Sequence, residues 1–358
     1  MNFLKQPKWW MRVLIGAAWI PVGGELFLRF LAPVPMLPRY IKAGPHGVRA
    51  NMPNQTYRHQ TPEYTVEIRT NSQGMRADQE FAIAKPSGTR RIAVLGDSFS
   101  MGYGVNIEDT SLQILEENLE AELKCNVEIL NFSVSGSGPA EELIVLENAT
   151  MQYEPDLVIQ YYDGFTDPID DARANLFVLN DSGLQRANDS YLPKMKIREF
   201  LFSFSAYRWL TGESHLYNFL YGMGKNLIGS VTSLLRFHGN KNPHDSPAEM
   251  NAEGPTAQEV LTLAIISRMM EVARAGGAEF LILSVPLRES RSEFKETFPD
   301  WSGNFPVVSP IPSFELEDGK MLFWEKSQGH WTPLGCRLVA GTLADAILDR
   351  GLLGAACP

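Results

Sequence analysis

Cysteine is scarce in this chain: three residues among 358, Cys125, Cys336 and Cys357, at unrelated spacings. That count excludes a disulfide-built scaffold and a cysteine zinc site, and an odd number leaves at least one thiol unpaired. Cys336, near the start of the last helical pattern, and Cys357 in the tail are the pair that could meet. The six histidines never stand at metal-ligand spacing with carboxylates, so no metal is expected, and no cofactor either. Basic runs interleaved with aromatics are also missing. With 32 Lys and Arg against 42 Asp and Glu, the net charge of −10 argues against nucleic acid or any polyanion as partner. Internal repeats and low-complexity tracts are absent.

What the chain does have is length for a full core, as one large domain or two small ones. It also has one extended apolar stretch, Trp9 to Leu31, of about the 20 residues a bilayer span needs. Lys5, Lys8 and Arg12 lead it, Trp9-Trp10 suit an interface, and no small-residue cleavage site follows. The expectation is residues 1–32 as a cytoplasmic stub and uncleaved transmembrane anchor, with the bulk of the chain on the far side of a bacterial inner membrane, in the periplasm. Glu25 and Arg29 lie on one helix face. Either the helix leaves the bilayer at Glu25 or the pair meets a partner helix.

Residues 33–60, with Pro33, Pro35, Pro38, Pro45 and Pro53, read as a tether. Tyr64–Thr70 alternates like a strand. From Arg91 strands and helices alternate as in doubly wound α/β folds. Strands are expected at Ile92–Leu95, Val127–Leu130, Leu157–Tyr161 and Phe280–Val285. Helices are expected through Leu112–Leu123, Ala140–Tyr153, Leu261–Val272 and from Pro333 to about Leu348. An insertion at about 172–254 shows no clear strand–helix–strand unit. Its stretch 200–237 is aromatic and apolar: a helical subdomain packed on the core, or a surface for membrane-protein partners or a lid.

Chemistry concentrates where Ile92–Leu95 breaks at Gly96-Asp97-Ser98. A buried strand ending in a glycine turn presents Ser98 at a sheet's carboxyl end, where open α/β sheets place their ligand crevices. The run resembles block I of the SGNH (GDSL-type) hydrolases, with Ser98 as nucleophile. Asn71-Ser72-Gln73-Gly74-Met75-Arg76 looks like a segment that precedes block I in membrane-anchored members. Asn131-Phe132-Ser133-Val134-Ser135-Gly136 looks like block II, which makes Gly136 an oxyanion donor beside the Ser98 amide. Gly329-His330-Trp331-Thr332-Pro333-Leu334-Gly335 looks like block V, with His330 as the base.

The resemblance implies a flavodoxin-like three-layer α/β/α fold with a mostly parallel sheet over residues 61–358, in addition to the transmembrane helix. It also exposes two departures. Thr166 stands where block III has its asparagine, and losing one oxyanion donor costs about 10²–10³ in rate. Ser327 and Gln328 stand where the block V aspartate belongs, and losing that carboxylate costs roughly 10⁴ in serine proteases. Glu325, Asp163 or Asp167 could fold back to serve His330 instead. The reading placed first is a non-catalytic or nearly inactive accessory subunit of a membrane complex, docked through the anchor and insertion; such subunits occur in bacterial membrane assemblies such as photosynthetic reaction-centre and antenna complexes. The alternative is a membrane-anchored serine esterase or O-acyltransferase acting on acylated envelope glycan through a Ser98–His330 dyad, with Ser98, Gly136 and Thr166 around the oxyanion.

Overall fold

The computed structural model describes residues 9–37, 39–193, 195–224, 255–303, 305–317, 320–327 and 329–354. Helix α1 (Trp9–Phe30) leads into two hairpins, β1 (Ile41–Ala43) with β2 (Arg49–Asn51) and β3 (Gln55–Gln60) with β4 (Thr65–Thr70). The alternation then begins: β5 (Thr89–Leu95), α2 (Ser111–Leu123), β6 (Asn126–Asn131), α3 (Pro139–Val145), β7 (Leu157–Tyr162) and α4 (Asp167–Ala174). A hairpin of β8 (Phe177–Asn180) and β9 (Gly183–Arg186) opens the insertion. Helices α5 (Met195–Phe202), α6 (Ser205–Glu213) and α7, described over residues 215–224, continue it. After α8 (Ala257–Ala275) come β10 (Glu279–Ser284), the short pair β11 (Leu287–Arg288) and β12 (Phe294–Lys295), β13 (Val307–Val308), α9 (Ile311–Glu315) and α10 (Pro333–Asp349).

The central sheet runs β13-β10-β7-β5-β6, every pair parallel. Numbered along the chain, that is the flavodoxin-like order, and its reversal point lies between β5 and β7. Apolar side chains alternate across the sheet because successive Cβ atoms on a strand point to opposite faces. Ile92 and Val94 join Leu115, Leu119, Val339 and Leu343 on the α2/α10 side. Ala93 and Leu95 join Leu143, Ile144, Ile265 and Met269 on the α3/α8 side. The result is the expected α/β/α sandwich. Local signals set its helix boundaries: Thr110 caps α2 through Gln113 N, and Thr256 with Glu259 forms a capping box at α8.

Where a transmembrane span was expected, a helix does form. Among the described residues, however, no helix is long and apolar enough to cross a membrane. Helix α1 carries Arg12, Glu25 and Arg29, and Pro21 lies within it. The Glu25–Arg29 pair closes at 2.8 Å and is engaged within the chain. Glu25 accepts from Ser214 Oγ at 2.9 Å, His215 N at 3.1 Å and Leu216 N at 2.8 Å, and Arg29 donates to the Glu213 carbonyl at 2.7 Å. A carboxylate thus satisfies the orphan amides at the start of α7 and ties α1 to the insertion.

The stretch read as a tether is partly folded, for it contains β1, β2 and β3, and Tyr40 and His59 within it are buried. Of the prolines that suggested a linker, Pro33 and Pro35 precede β1, and Pro45 and Pro53 fall between the strands rather than in them. Cys125 is disulfide-bonded while Cys336 is a free buried thiol, so Cys336 does not pair with Cys357, which lies outside the described residues. Residues 225–237 of the aromatic stretch also lie outside them.

Candidate active site

Ser98 follows β5 in a tight turn in which Met101 N donates to the Asp97 carbonyl and Tyr103 N to the Ser98 carbonyl, both at 3.0 Å. Gly96 holds φ +154°, and a Cβ there would meet Ser100 Oγ at 2.3 Å and the Tyr161 side chain at 2.9 Å. No side chain fits. The block II loop clamps onto this turn: Val134 N donates to the Gly96 carbonyl at 3.0 Å, Ser137 Oγ to the same carbonyl at 3.1 Å, and Asn131 Nδ2 to the Ser100 carbonyl at 3.1 Å. Gly136 adopts φ +76°, and its carbonyl is held by Arg49, itself paired with buried Glu141. The Ser98 and Gly136 amides donate to no acceptor among the described residues. Both are therefore available for an oxyanion.

His330 arrives from the opposite direction, ahead of α10. Gly329 takes φ +67°, and Thr332 caps the helix by accepting from Gly335 N at 3.3 Å while donating to the Met321 carbonyl at 2.7 Å. A Cβ on Gly335 would come within 2.4 Å of the Leu322 carbonyl, which accounts for that glycine in the motif. The ring is sandwiched between Phe99 and Tyr103, with centroids at 4.9 and 5.0 Å. So placed, His330 Nε2 lies 2.7 Å from Ser98 Oγ. The structure brings the two ends of the sequence motif series into hydrogen-bond contact.

The other side of the ring is bare. Buried Nδ1 has no well-formed hydrogen bond among the described residues; only the Ser327 backbone is near enough to favour the protonated ring. Burial dominates and holds the imidazole down at about 4. The acids named as substitutes, Glu325, Asp163 and Asp167, are engaged elsewhere. Glu325 accepts from Arg291 Nε at 2.6 Å, Asp163 from Phe165 N at 2.9 Å, and Asp167 from Asp163 N at 3.0 Å. Thr166 sits at the start of α4, where its hydroxyl favours the ionised form of Asp163, so it offers a poor third oxyanion donor.

Beneath the turn lies a group of buried acids, of which the sequence had not pointed to Glu142 and Asp171. Asp97, Glu142, Asp167 and Asp171 are each at most 8% exposed. Burial first, and then the neighbouring carboxylates, pushes Asp97 up to about 7 and raises Glu142 and Asp167 well above the usual carboxylate range. Asp171 is likewise raised to about 7 by burial, against hydrogen bonds from Thr262 and Ala140 N. Among the described residues no group of His, Cys, Asp or Glu is arranged to hold a metal ion.

Two further residues escaped the sequence reading. Tyr103 walls the His330 ring and packs on His59 at 4.2 Å between centroids. His59 was hidden in the supposed tether, and burial, with His330 and Arg76 nearby, holds it down at about 3. The segment before block I also gains a physical role. Asn71 Oδ1 accepts from Gln73 N and Met75 N, and the buried Arg76 guanidinium donates to the carbonyls of Met101, Gly102 and Val105 in the loop after Ser98.

No family model matches the sequence, and no curated protein matches it. Solved structures do. A lipase/acylhydrolase from Enterococcus faecalis is 14% identical, with a TM-score of 0.39, covering 73% of this chain and 96% of its own. A lipolytic protein of the G-D-S-L family from Desulfitobacterium hafniense is 12% identical at a TM-score of 0.38, covering 72% and 98%. A psychrotrophic esterase from Pseudoalteromonas sp., solved with monoethylphosphonate as inhibitor, is 13% identical at 0.37, covering 73% and 98%. The solved structures that this chain is similar to thus include proteins named as a lipase/acylhydrolase, a lipolytic protein of the G-D-S-L family and an esterase.

Proposed function

We propose that this chain is a serine acyl-ester hydrolase, or an acyltransferase of the same chemistry, working at low turnover through a Ser98–His330 dyad. The 2.7 Å contact between Ser98 Oγ and His330 Nε2 carries this reading. Oγ attacks the ester carbonyl while its proton passes to Nε2. The oxyanion faces the amides of Ser98 and Gly136, and collapse expels the alcohol, which takes the proton back from His330. A water, or a second alcohol in the acyltransferase case, repeats the sequence on the acyl-enzyme. The weak step is the imidazolium, which forms in a buried setting without a carboxylate to stabilise or orient it. That loss is worth about 10⁴ in related chemistry.

A fluorophosphonate probe tests the reading. The wild-type chain should be labelled, and Ser98→Ala should not; turnover of a simple acyl ester should vanish in both Ser98→Ala and His330→Ala. Absence of labelling in folded wild-type protein would overturn it.

The bare Nδ1 favours a second reading, an accessory subunit that keeps the site as a relic. Fixed stoichiometry in a large complex after gentle solubilisation, together with no labelling, would establish that role. In either reading we place the domain at a membrane surface, because Trp19, Ile20, Phe27 and Phe30 of α1 are exposed apolar side chains, and on its periplasmic side, because Lys5, Lys8 and Arg12 flank the leading end of the apolar stretch. Acylated envelope glycan remains the substrate class that the motif resemblance suggests.

A further inference from the structure

We propose that the cleft between residues 34–37 and 39–41 and helices α5, α6 and α7 is a binding site for an acidic lipid, with the anionic head at Arg39 and Arg198 and the chain along an apolar wall. The cleft holds about 800 Å³, within the range of small-molecule sites. Val34, Leu37 and Ile41 form one side, and Leu201, Phe202 and Phe219 the other. Such walls suit a hydrocarbon chain better than a sugar.

The two cations make the cleft more than an apolar groove. Arg39 lies over the Tyr221 ring at 4.3 Å and donates to Asn218 Oδ1 at 3.4 Å. Arg198 stands over Phe202 at 5.6 Å. Neither has a carboxylate partner among the described residues, and the acid next to Arg198, Glu199, is spent on the Ala43 amide at 3.0 Å. Burial, and then the charge of Arg39, holds Arg198 below its usual value. Two like charges half-buried together are costly, and one anion between them relieves both. A carboxylate or phosphate monoester provides it. On the membrane-surface placement proposed above for α1, the cleft also lies on a route to lipid, because the helix that supplies Asn218, Phe219 and Tyr221 is the one whose first amides Glu25 of α1 binds.

This site does not depend on turnover at Ser98. Full-length protein is titrated with dansyl-undecanoate below its micellar concentration, against an uncharged dansyl-undecyl amide of equal length. Saturable binding is expected, with the uncharged probe weaker by about tenfold or more, the worth of a charge-assisted hydrogen bond or two. Arg39→Gln with Arg198→Gln should weaken the acid by the same factor, and Ser98→Ala should bind it as wild type does. Dodecyl phosphate should displace the probe while inorganic phosphate should not. Equal affinity for both probes, loss of binding in Ser98→Ala, or displacement by inorganic phosphate alone would each overturn the proposal. So would self-association that closes the cleft to the probe. The comparison of the two probes uses wild-type protein only, so it decides the matter even if the double variant fails to fold.

Discussion

Glu325, the acid nearest His330 in the sequence, is bound to Arg291 instead, its Oε1 2.6 Å from Arg291 Nε with Arg288 3.6 Å away. The ring is left with the Ser327 backbone on its Nδ1 side. Ser327 is therefore the position from which a carboxylate can be returned; its buried side chain now donates to Thr61 Oγ1 at 2.9 Å and also hydrogen-bonds the Glu63 carboxylate. Ser327→Asp should raise acyl-ester turnover by about tenfold or more, part of the 10⁴ such a group supplies elsewhere. Its acid limb in kcat/KM should also move upward from about 4, the wild-type His330 value. Unchanged turnover and an unmoved limb in a folded variant would count against His330 as the base.

The buried acids set a pH dependence of stability. Asp97 and Asp171, raised from 3.8 to about 7, bind more protons folded than unfolded, so the stability they contribute is lost as pH rises through about 7. Glu142 and Asp167 act in the same direction. His59 and His330, lowered from 6.5 to about 3 and about 4, oppose this, because their share of stability is lost as pH falls below 6.5. The acids outnumber the histidines. Thermal unfolding should give a higher Tm near about pH 6 than near about pH 8.5. Asp97→Asn, which keeps an acceptor for Phe99 N, should shrink that difference by on the order of 1–3 kcal/mol. A Tm that rises toward alkaline pH would contradict the assignment.

Glu25 joins α1 to the rest of the chain. Glu25→Ala removes the acceptor for Ser214 Oγ, His215 N and Leu216 N and frees Arg29 from its pair. Loss of such a cap costs about 1–2 kcal/mol. Limited proteolysis should cut between residues 31 and 37 faster in this variant, while β5 to β7 stay protected.

Gly96 admits no substitute. In Gly96→Ala the added carbon would overlap Ser100 Oγ and the Tyr161 side chain. Overpacking of this kind costs about 1–3 kcal/mol, and more where the backbone is also strained. Denaturant unfolding should show a loss of at least that size, and fluorophosphonate labelling of Ser98 should fall with it.

Most of the sandwich was legible because its strands are buried on both faces and so read as unbroken apolar runs. β5, β7 and β10 lie where Ile92–Leu95, Leu157–Tyr161 and Phe280–Val285 pointed. β13 has only two residues, too few for any pattern. β1 to β3 were masked by prolines that precede β1 or, as with Pro45 and Pro53, sit between the strands. At the site, residue types at Ser98, Gly136 and His330 were readable because each is bound to a backbone shape, a glycine turn or a helix cap. The fate of Glu325, Asp163 and Asp167 was not. Which partner a surface or loop carboxylate chooses depends on groups far away in sequence, here Arg291 for one of them.

Arg76 has one further consequence. Its guanidinium is committed to three carbonyls of the 101–105 loop, and it is fully enclosed. Lifting that loop would strand a cation in a greasy interior, a penalty of several kcal/mol. Tyr103 is thus masonry, not a door. Any molecule reaching the serine must suit an entrance whose shape is already set before it arrives.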